Sequence, residues 1–473
     1  MVAVRLMSYG IMFFISKNSN TKHVFLFSIL ALILFIFGSS SYDTFGSNQT
    51  SPLDGMNFSK SQDIYSKDGV LKSTISASYH VGKVDNQSVT SMLYNGSLGG
   101  PILHVYPGDK IELDLINNLN ESTNLHFHGL HVSPLNNSDN VFLEIAPGKT
   151  QHYSIDIPKD HSPGTFWYHS HIHHISTEQV ASGLSGLIII EGLELLLPEP
   201  LQNITAQNFA LRDFIDSNTG MSSYRTINGE THAIINNTAN ETQLWRFANI
   251  GSEPFYELRL PGYKFYVIAE DGSPVWKVWN NDTLLLPSGK RFEVLVTTTE
   301  NGSTPLIASA YYPLPETTIA TVNSKDNNQK VSVNANLTSL VLKDDFQLKN
   351  ITNYRVLNFT SDDNEFVYKI NNKTFDANRI DQKMKLGDIE QWKLINYDND
   401  DHPFHIHVND FEVISVNGKP YNAQGLQDTV IIPKHGEVVI QIAFEDFVGK
   451  SVYHCHIMFH GDNGMMGTFE VVK

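Results

Sequence analysis

Two distant segments of the chain repeat one pattern. GDKIELDLINNL, opening at Gly108, leads to HFH at His126 and His128, and GDIEQWKLINYD, opening at Gly387, leads to HIH at His405 and His407. The offsets from glycine to the paired histidines are 18 and 20 residues in both copies. GTFWYHSH then begins at Gly164 and GKSVYHCH at Gly449, each glycine five residues ahead of a histidine, His169 and His454. Matching histidine pairs at matching places require two related domains in one chain.

Between the motifs, short segments alternate apolar and polar residues and are punctuated by Gly, Pro and Asn; residues 110–116, 153–157 and 437–444 are examples. This is the pattern of antiparallel strands with one packed and one wet face. No long amphipathic helix stands out, and the chain reads as all-β. Its 473 residues exceed the roughly 250–300 at which a single core stops growing. A third sandwich is expected over about 203–321, where LIASAYYP replaces the HxH pair; it has no metal site and reads as structural. Residues 1–65 read as a targeting segment or membrane anchor followed by a polar linker: Arg5, Lys17 and Lys22 precede an apolar run over 24–37 and the small residues 38–41. The chain is therefore expected outside the cytoplasm, periplasmic, cell-surface or secreted. Exported proteins usually spend cysteines on disulfides, yet Cys455 is the only cysteine, so its thiol must serve some other purpose. Sequons at Asn57, Asn95, Asn203, Asn301 and Asn358 make the chain a glycoprotein candidate. A net charge of −17 argues against nucleic acid and against charge-driven docking on an anionic membrane, and favours a cationic or neutral small substrate.

On a strand, residues i and i+2 share a face, so each HxH presents two imidazoles to one place. The pairs 126/128, 169/171, 405/407 and 454/456 supply eight, half from each repeat. Imidazole suits copper, zinc, iron and nickel, and does not name the metal. Cys455 does. In HCHIMFH it faces away from His454 and His456, with His460 and Met465 following and His402 available from HPFHIH. One thiolate, two histidines and a weak axial methionine make a blue-copper electron-transfer site. Met466 is the rival for the axial place, and the spacing favours Met465. The first repeat is an internal control: Thr123, Ser170 and Ile175 stand where the other has His402, Cys455 and His460, so it owns no blue site.

HFHG, HSH, HPFHIH and HCHIMFHGDNGM resemble the four motifs of three-domain multicopper oxidases, the laccase and bilirubin-oxidase group, from about residue 66 to the C-terminus. The resemblance implies three consecutive cupredoxin-like Greek-key β-sandwich domains, here 66–196, 197–325 and 326–473. It implies four copper ions. His402, Cys455, His460 and Met465 would hold type 1, His126 and His405 type 2, and His128, His169, His171, His407, His454 and His456 the type 3 pair. Four coppers match the four electrons that turn dioxygen into two waters. His131, His161, His173 and His174 are expected to be surface or supporting hydrogen-bonders. Similar bacterial enzymes carry one carboxylate after HxHG and another after the last type 1 histidine. Asp139 is the candidate proton relay for the first, whereas the second position is Gly461, with Asp462 a poor substitute.

The implied function is oxidation of a reducing substrate, laccase-like on phenols or aromatic amines, coupled to reduction of dioxygen. The alternatives are a metallo-oxidase acting on Fe(II), Cu(I) or Mn(II), a copper nitrite reductase, and a copper electron-transfer protein without oxidase turnover. Asp398, Asp400 and Asp401, beside His402, are expected to lie where donors dock and to attract cations. The expected partners are a small-molecule or metal-ion donor and dioxygen, with the chain acting as a monomer.

Overall fold

In the computed structural model, residues 60–473 are described apart from 85–86, 217–220, 312, 326–335, 344–349 and 363, together with an antiparallel pair of short strands, Val2–Arg5 and Met12–Ile15. The apolar run of the proposed targeting segment and Asn57 lie outside the described residues. Among the described residues no helix is long and apolar enough to cross a membrane.

Alternation in sequence becomes strand. KIELDLIN forms Lys110–Asn117, in which Ile111, Leu113 and Leu115 are fully buried and the intervening residues are not. Each such side chain contributes roughly 1.5–3 kcal/mol. Its counterpart in the other repeat, Asp388–Asn396, buries Trp392 and Leu394 in the same way and pairs antiparallel with Glu437–Phe444. These strands lie in the sheets that close each sandwich on the side away from the histidines.

Three sandwiches follow one another. The first packs a four-stranded sheet, centred on Val70–Val84 and Lys110–Asn117, against a five-stranded one that ends with Ser185–Ile190, Gly164–His169 and His126–His128. The second, from Ala206–Asp216 to Thr317–Lys325, packs six strands on five. The third packs six strands, including Asp388–Asn396, on a five-stranded sheet in which Gly449–Cys455, His402–Ile406 and Thr429–Ile432 are neighbours. Each encloses its own apolar core.

The repeat is visible in the register. His126 stands opposite His169 in the first sandwich, and His405 opposite His454 in the third. In three of the four pairs the strand stops within the HxH motif: Gly164–His169, His402–Ile406 and Gly449–Cys455 end before the second histidine. Both sets of strand ends meet where the first and third sandwiches face each other. After His171 the chain turns, with His174 at φ 75, into a short helix, Ser176–Ser182.

Candidate metal centres

All eight paired histidines are buried, and their rings meet. Within the pairs the ring centroids are 5.0–5.7 Å apart. Across the junction His126 stacks on His407 at 3.7 Å and His128 on His405 at 3.8 Å.

Hydrogen bonds fix which nitrogen of several rings faces inward. A backbone carbonyl only accepts, so the ring nitrogen against it carries the proton and the other has a free lone pair. His169 Nδ1 donates to Ser170 O at 2.8 Å, His454 Nδ1 to Cys455 O at 3.0 Å, and His405 Nδ1 to Asp428 O at 2.8 Å. His126 Nδ1 lies 2.9 Å from Asp139 Oδ1, and His128 Nε2 lies 3.3 Å from Asp428 Oδ1. The inward Nε2 atoms of His126, His169 and His405 are buried without a hydrogen-bond partner. Three further nitrogens converge: His171 Nε2 and His407 Nε2 each lie 3.1 Å from His454 Nε2. His128 Nδ1 and His456 Nε2 face each other at 3.1 Å. Burial and the mutual repulsion of neighbouring rings hold His126, His128, His171, His407 and His456 well below the ordinary imidazole range, and burial lowers His169 and His454 to about 3. Neutral imidazoles with free lone pairs aimed at shared points are what a metal requires.

The Cys455 site is separate and lies wholly in the third sandwich. Cys455 Sγ is 3.6 Å from both His402 Nδ1 and His460 Nδ1, which are 3.2 Å from each other. Burial pushes the thiol up, so a thiolate there needs a cation beside it. Met465 is fully buried in the core that includes Cys455, whereas Met466 packs with Val141 and Val452 between the first and third sandwiches. Soft sulfur with two imidazoles suits copper; the all-imidazole cluster accepts it equally well.

At the corresponding place in the first sandwich, Thr123 Oγ1 and Ser170 Oγ both donate to Gln179 Oε1, at 2.8 and 2.5 Å. A neutral hydrogen-bonded triad fills the space that the Cys455, His402 and His460 side chains line in the other repeat.

Asp139, the candidate relay, is buried, bonded to His126 and to the Phe127 N–H, and pushed up to about 8 by burial. Asp398, expected at a docking surface, is also buried; its Oδ2 receives His402 Nε2 at 2.8 Å and its Oδ1 the Ser361 N–H at 2.7 Å. The expected three-acid docking cluster does not exist as such, because Asp398 faces inward while Asp401 is exposed and accepts the Lys434 N–H. His402 is itself fully buried and offers solvent no ring edge. Asp462 accepts from Ser176 Oγ, Thr177 N and Thr177 Oγ1 rather than facing the cluster. His131 bridges Val408 O and Asp446, His161 accepts the His131 N–H, and His173 packs on Phe375.

Sequence reasoning missed Asp428, Asn124 and Ser288. Asp428 touches His128 and His405, Asn124 Oδ1 receives the His171 N–H at 2.7 Å, and Ser288 Oγ lies 3.1 Å from His456 Nδ1. None sits in a motif. One signal was available, the glycine of HFHG: Gly129 has φ +83, and a Cβ there would overlap the Arg291 guanidinium and the Asp428 carboxylate.

Comparison with known proteins agrees with this geometry. Three family models, each described as multicopper oxidase, match residues 77–194, 201–333 and 345–473. The multicopper oxidase mco of Staphylococcus haemolyticus is 28% identical over 413 residues, covering 82% of this chain and 85% of its own. A solved Campylobacter jejuni multicopper oxidase, described as a metallo-oxidase, superposes with a TM-score of 0.75 at 26% identity, covering 88% of this chain and 96% of its own. A solved Pediococcus acidilactici laccase gives 0.76 at 21%, covering 90% and 95%. The chain belongs to the three-domain multicopper oxidases, and its sandwiches are cupredoxin-like. It is an oxidoreductase of a copper-binding family.

Proposed function

We propose that the chain oxidises a phenol or aromatic amine one electron at a time at a type 1 copper and reduces dioxygen to water at a trinuclear copper cluster. The observation that carries this reading is the set of eight buried imidazoles converging at one junction, covalently adjacent to the Cys455 site. We assign His402, Cys455, His460 and Met465 to type 1, His126 and His405 to type 2, and His128, His169, His171, His407, His454 and His456 to the type 3 pair, four ions in all. When bound, copper supplies the one-electron steps and the reduction of dioxygen. The protein's residues do the rest. Cys455 is flanked in the chain by His454 and His456, so one peptide segment joins the two centres. Asp139, buried against His126 with its carboxyl pushed up by burial, is assigned as the proton relay for water formation. We place the domain boundaries at 66–196, 197–325 and 326–473 and take residues 1–65 as the signal peptide or membrane anchor plus polar linker of a monomer, the end of that linker, Asp63–Tyr65, pairing with Ile102–Val105 at the edge of the first sandwich.

The test is dioxygen uptake by the copper-loaded protein with a phenolic donor, beside Cys455→Ser. The wild type should be intensely coloured and consume dioxygen. The variant should lose colour and turnover yet still load the cluster. A coloured wild type that consumes no dioxygen would establish the electron-transfer alternative instead.

One observation favours a second reading, oxidation of Fe(II), Cu(I) or Mn(II). Burial and the charges of Asp213 and Asp400 raise the Glu253 carboxyl to about 7. The same acids, Glu253 and Asp400, act on Tyr311, which also feels Cys455. Asp213 and Asp400 make the potential at Glu253 negative, and that potential would draw a cation towards type 1. Glu253→Gln with Asp400→Asn should then raise KM for Fe(II) and leave a neutral phenol unchanged. Equal effects on both donors would leave the laccase-like reading alone.

A further inference from the structure

Among the described residues, the second sandwich contributes none to the candidate metal groups, yet one of its turns presses on the cluster. We infer that this turn, residues 287–291 (PSGKR), is a positioning clamp for the cluster histidines, an inference that rests on the copper assignment proposed above. The turn joins strands Thr283–Leu286 and Arg291–Thr297.

Three contacts make the clamp. Ser288 is fully buried, and its hydroxyl donates to Gly251 O at 2.6 Å. A carbonyl cannot donate in return, so the 3.1 Å contact with His456 Nδ1 must be an N–H donated to Ser288 Oγ. That fixes the tautomer of His456 and leaves Nε2 free to face His128 Nδ1. Next, Gly289 has φ +90, and a Cβ there would lie 3.1 Å from His128 Cε1 and from His456 Cδ2. The bare backbone is thus wedged between one ring of the first sandwich and one of the third. Finally, Arg291 and Lys290 hold the segment that carries Asp428. Arg291 Nη1 donates to Asp428 Oδ1 at 2.8 Å and its Nη2 lies 2.7 Å from Oδ2. Lys290 donates to Asp271 Oδ2 at 2.9 Å and to Thr429 O at 3.0 Å, and Asp271 Oδ2 in turn accepts the N–H groups of Asp428 and Thr429. Asp428 so held meets His128 Nε2 through its side chain and His405 Nδ1 through its carbonyl.

Docking alone does not call for this arrangement. Buried charges carry a desolvation cost, and apolar side chains of similar volume would join the sandwiches as well or better. Here the polar contacts end on the outer nitrogens of cluster imidazoles, where a hydrogen bond selects tautomer and ring orientation. The copper-free domain therefore acts on the cluster through His456, His128 and His405.

The test uses full-length, copper-loaded Ser288→Ala and Gly289→Ala. Copper retention at the cluster is measured by chelator competition, and the magnetic coupling of the type 3 pair by paramagnetic resonance. Loss of a hydrogen bond of this kind lowers metal affinity by about 10–100-fold. We expect such a loss from the cluster, with type 3 copper becoming visible to paramagnetic resonance and the type 1 visible band unchanged. Wild-type retention and a silent type 3 pair in both variants would overturn the clamp. So would a parallel loss of the type 1 band, which marks general destabilisation. If Gly289→Ala does not fold, Ser288→Ala and Arg291→Lys decide by the same readouts. A loaded wild type without a type 1 band or a silent pair would instead show that the copper assignment itself has failed.

Discussion

The Nε2–H of His402 points into the Asp398 carboxylate at 2.8 Å while Nδ1 faces Cys455. That bond sets the tautomer and places a negative charge on the far side of the type 1 ring, favouring the oxidised, more positive state of a metal bound there. Asp398→Asn keeps the shape and removes the charge. A charge-assisted bond exceeds a neutral one by about 1 kcal/mol, on the order of 40 mV for one electron. The type 1 reduction potential should rise by that amount in a redox titration, with the visible band retained; an unchanged potential would mean that Asp398 only packs. The sequence placed Asp398 beside His402 but not its direction. Three acids in four residues read as one exposed patch, and only the fold turns one inward. The paired histidines were legible because positions i and i+2 share a strand face, and Cys455 because it falls on the opposite face between two of them. Ser288, Asn124 and Asp428 were not, because a buried hydrogen-bond partner leaves no period in the chain.

The helix Ser176–Ser182 shows what a short element hides. It spans seven residues, too few for an amphipathic period to stand out, and no side chain of its own caps the N-terminus. Its ends are satisfied from other domains: Asp462 of the third accepts the Thr177 N–H and two hydroxyls, and Arg212 of the second donates to Val180 O and Ala181 O. Asp462→Asn weakens this cross-domain cap, and a lost cap costs about 0.5–2 kcal/mol. Thermal unfolding should shift down accordingly, with the type 1 band unaltered. Lys110–Asn117 and Glu437–Phe444 were read nearly to the residue, since strict alternation fits the two-residue period of a strand and not the 3.6-residue period of a helix, whereas 153–157 missed the first three residues of Thr150–Asp156. The strand ends at His169, and the turn before the helix, with His174 at φ 75, left no period in the sequence. Thr123 and Ser170, read from the sequence as the counterparts of His402 and Cys455, do lie together, whereas Gln179, which bonds to both, comes from the helix that was missed.

The number of sandwiches followed from the repeat and the chain length; the way the first and third touch did not, because their contacts join residues as far apart as His128 and Asp428. Seven cluster histidines, His126, His128, His169, His171, His407, His454 and His456, have imidazole pKa values lowered from 6.5. Unfolded, they take up protons below 6.5 that the folded cluster refuses, so the stability of the copper-free protein falls as pH drops through that value. Each contributes up to about 1.4 kcal/mol per pH unit. Melting of copper-free protein should therefore drop steeply between roughly neutral and mildly acidic pH, and copper loading should flatten the dependence. A flat copper-free profile would mean that the junction opens to water. Arg291 has a consequence for the order of events. Its Nε donates to Thr165 O of the first sandwich, its Nη2 to Asp271 O of the second, and its Nη1 to Asp428 of the third. One guanidinium thus reports that all three have arrived, whereas His402, Cys455, His460 and Met465 need only the third. During refolding in the presence of copper, colour should precede oxidase competence, and the lag between them measures the time three independently folded bodies take to find one another.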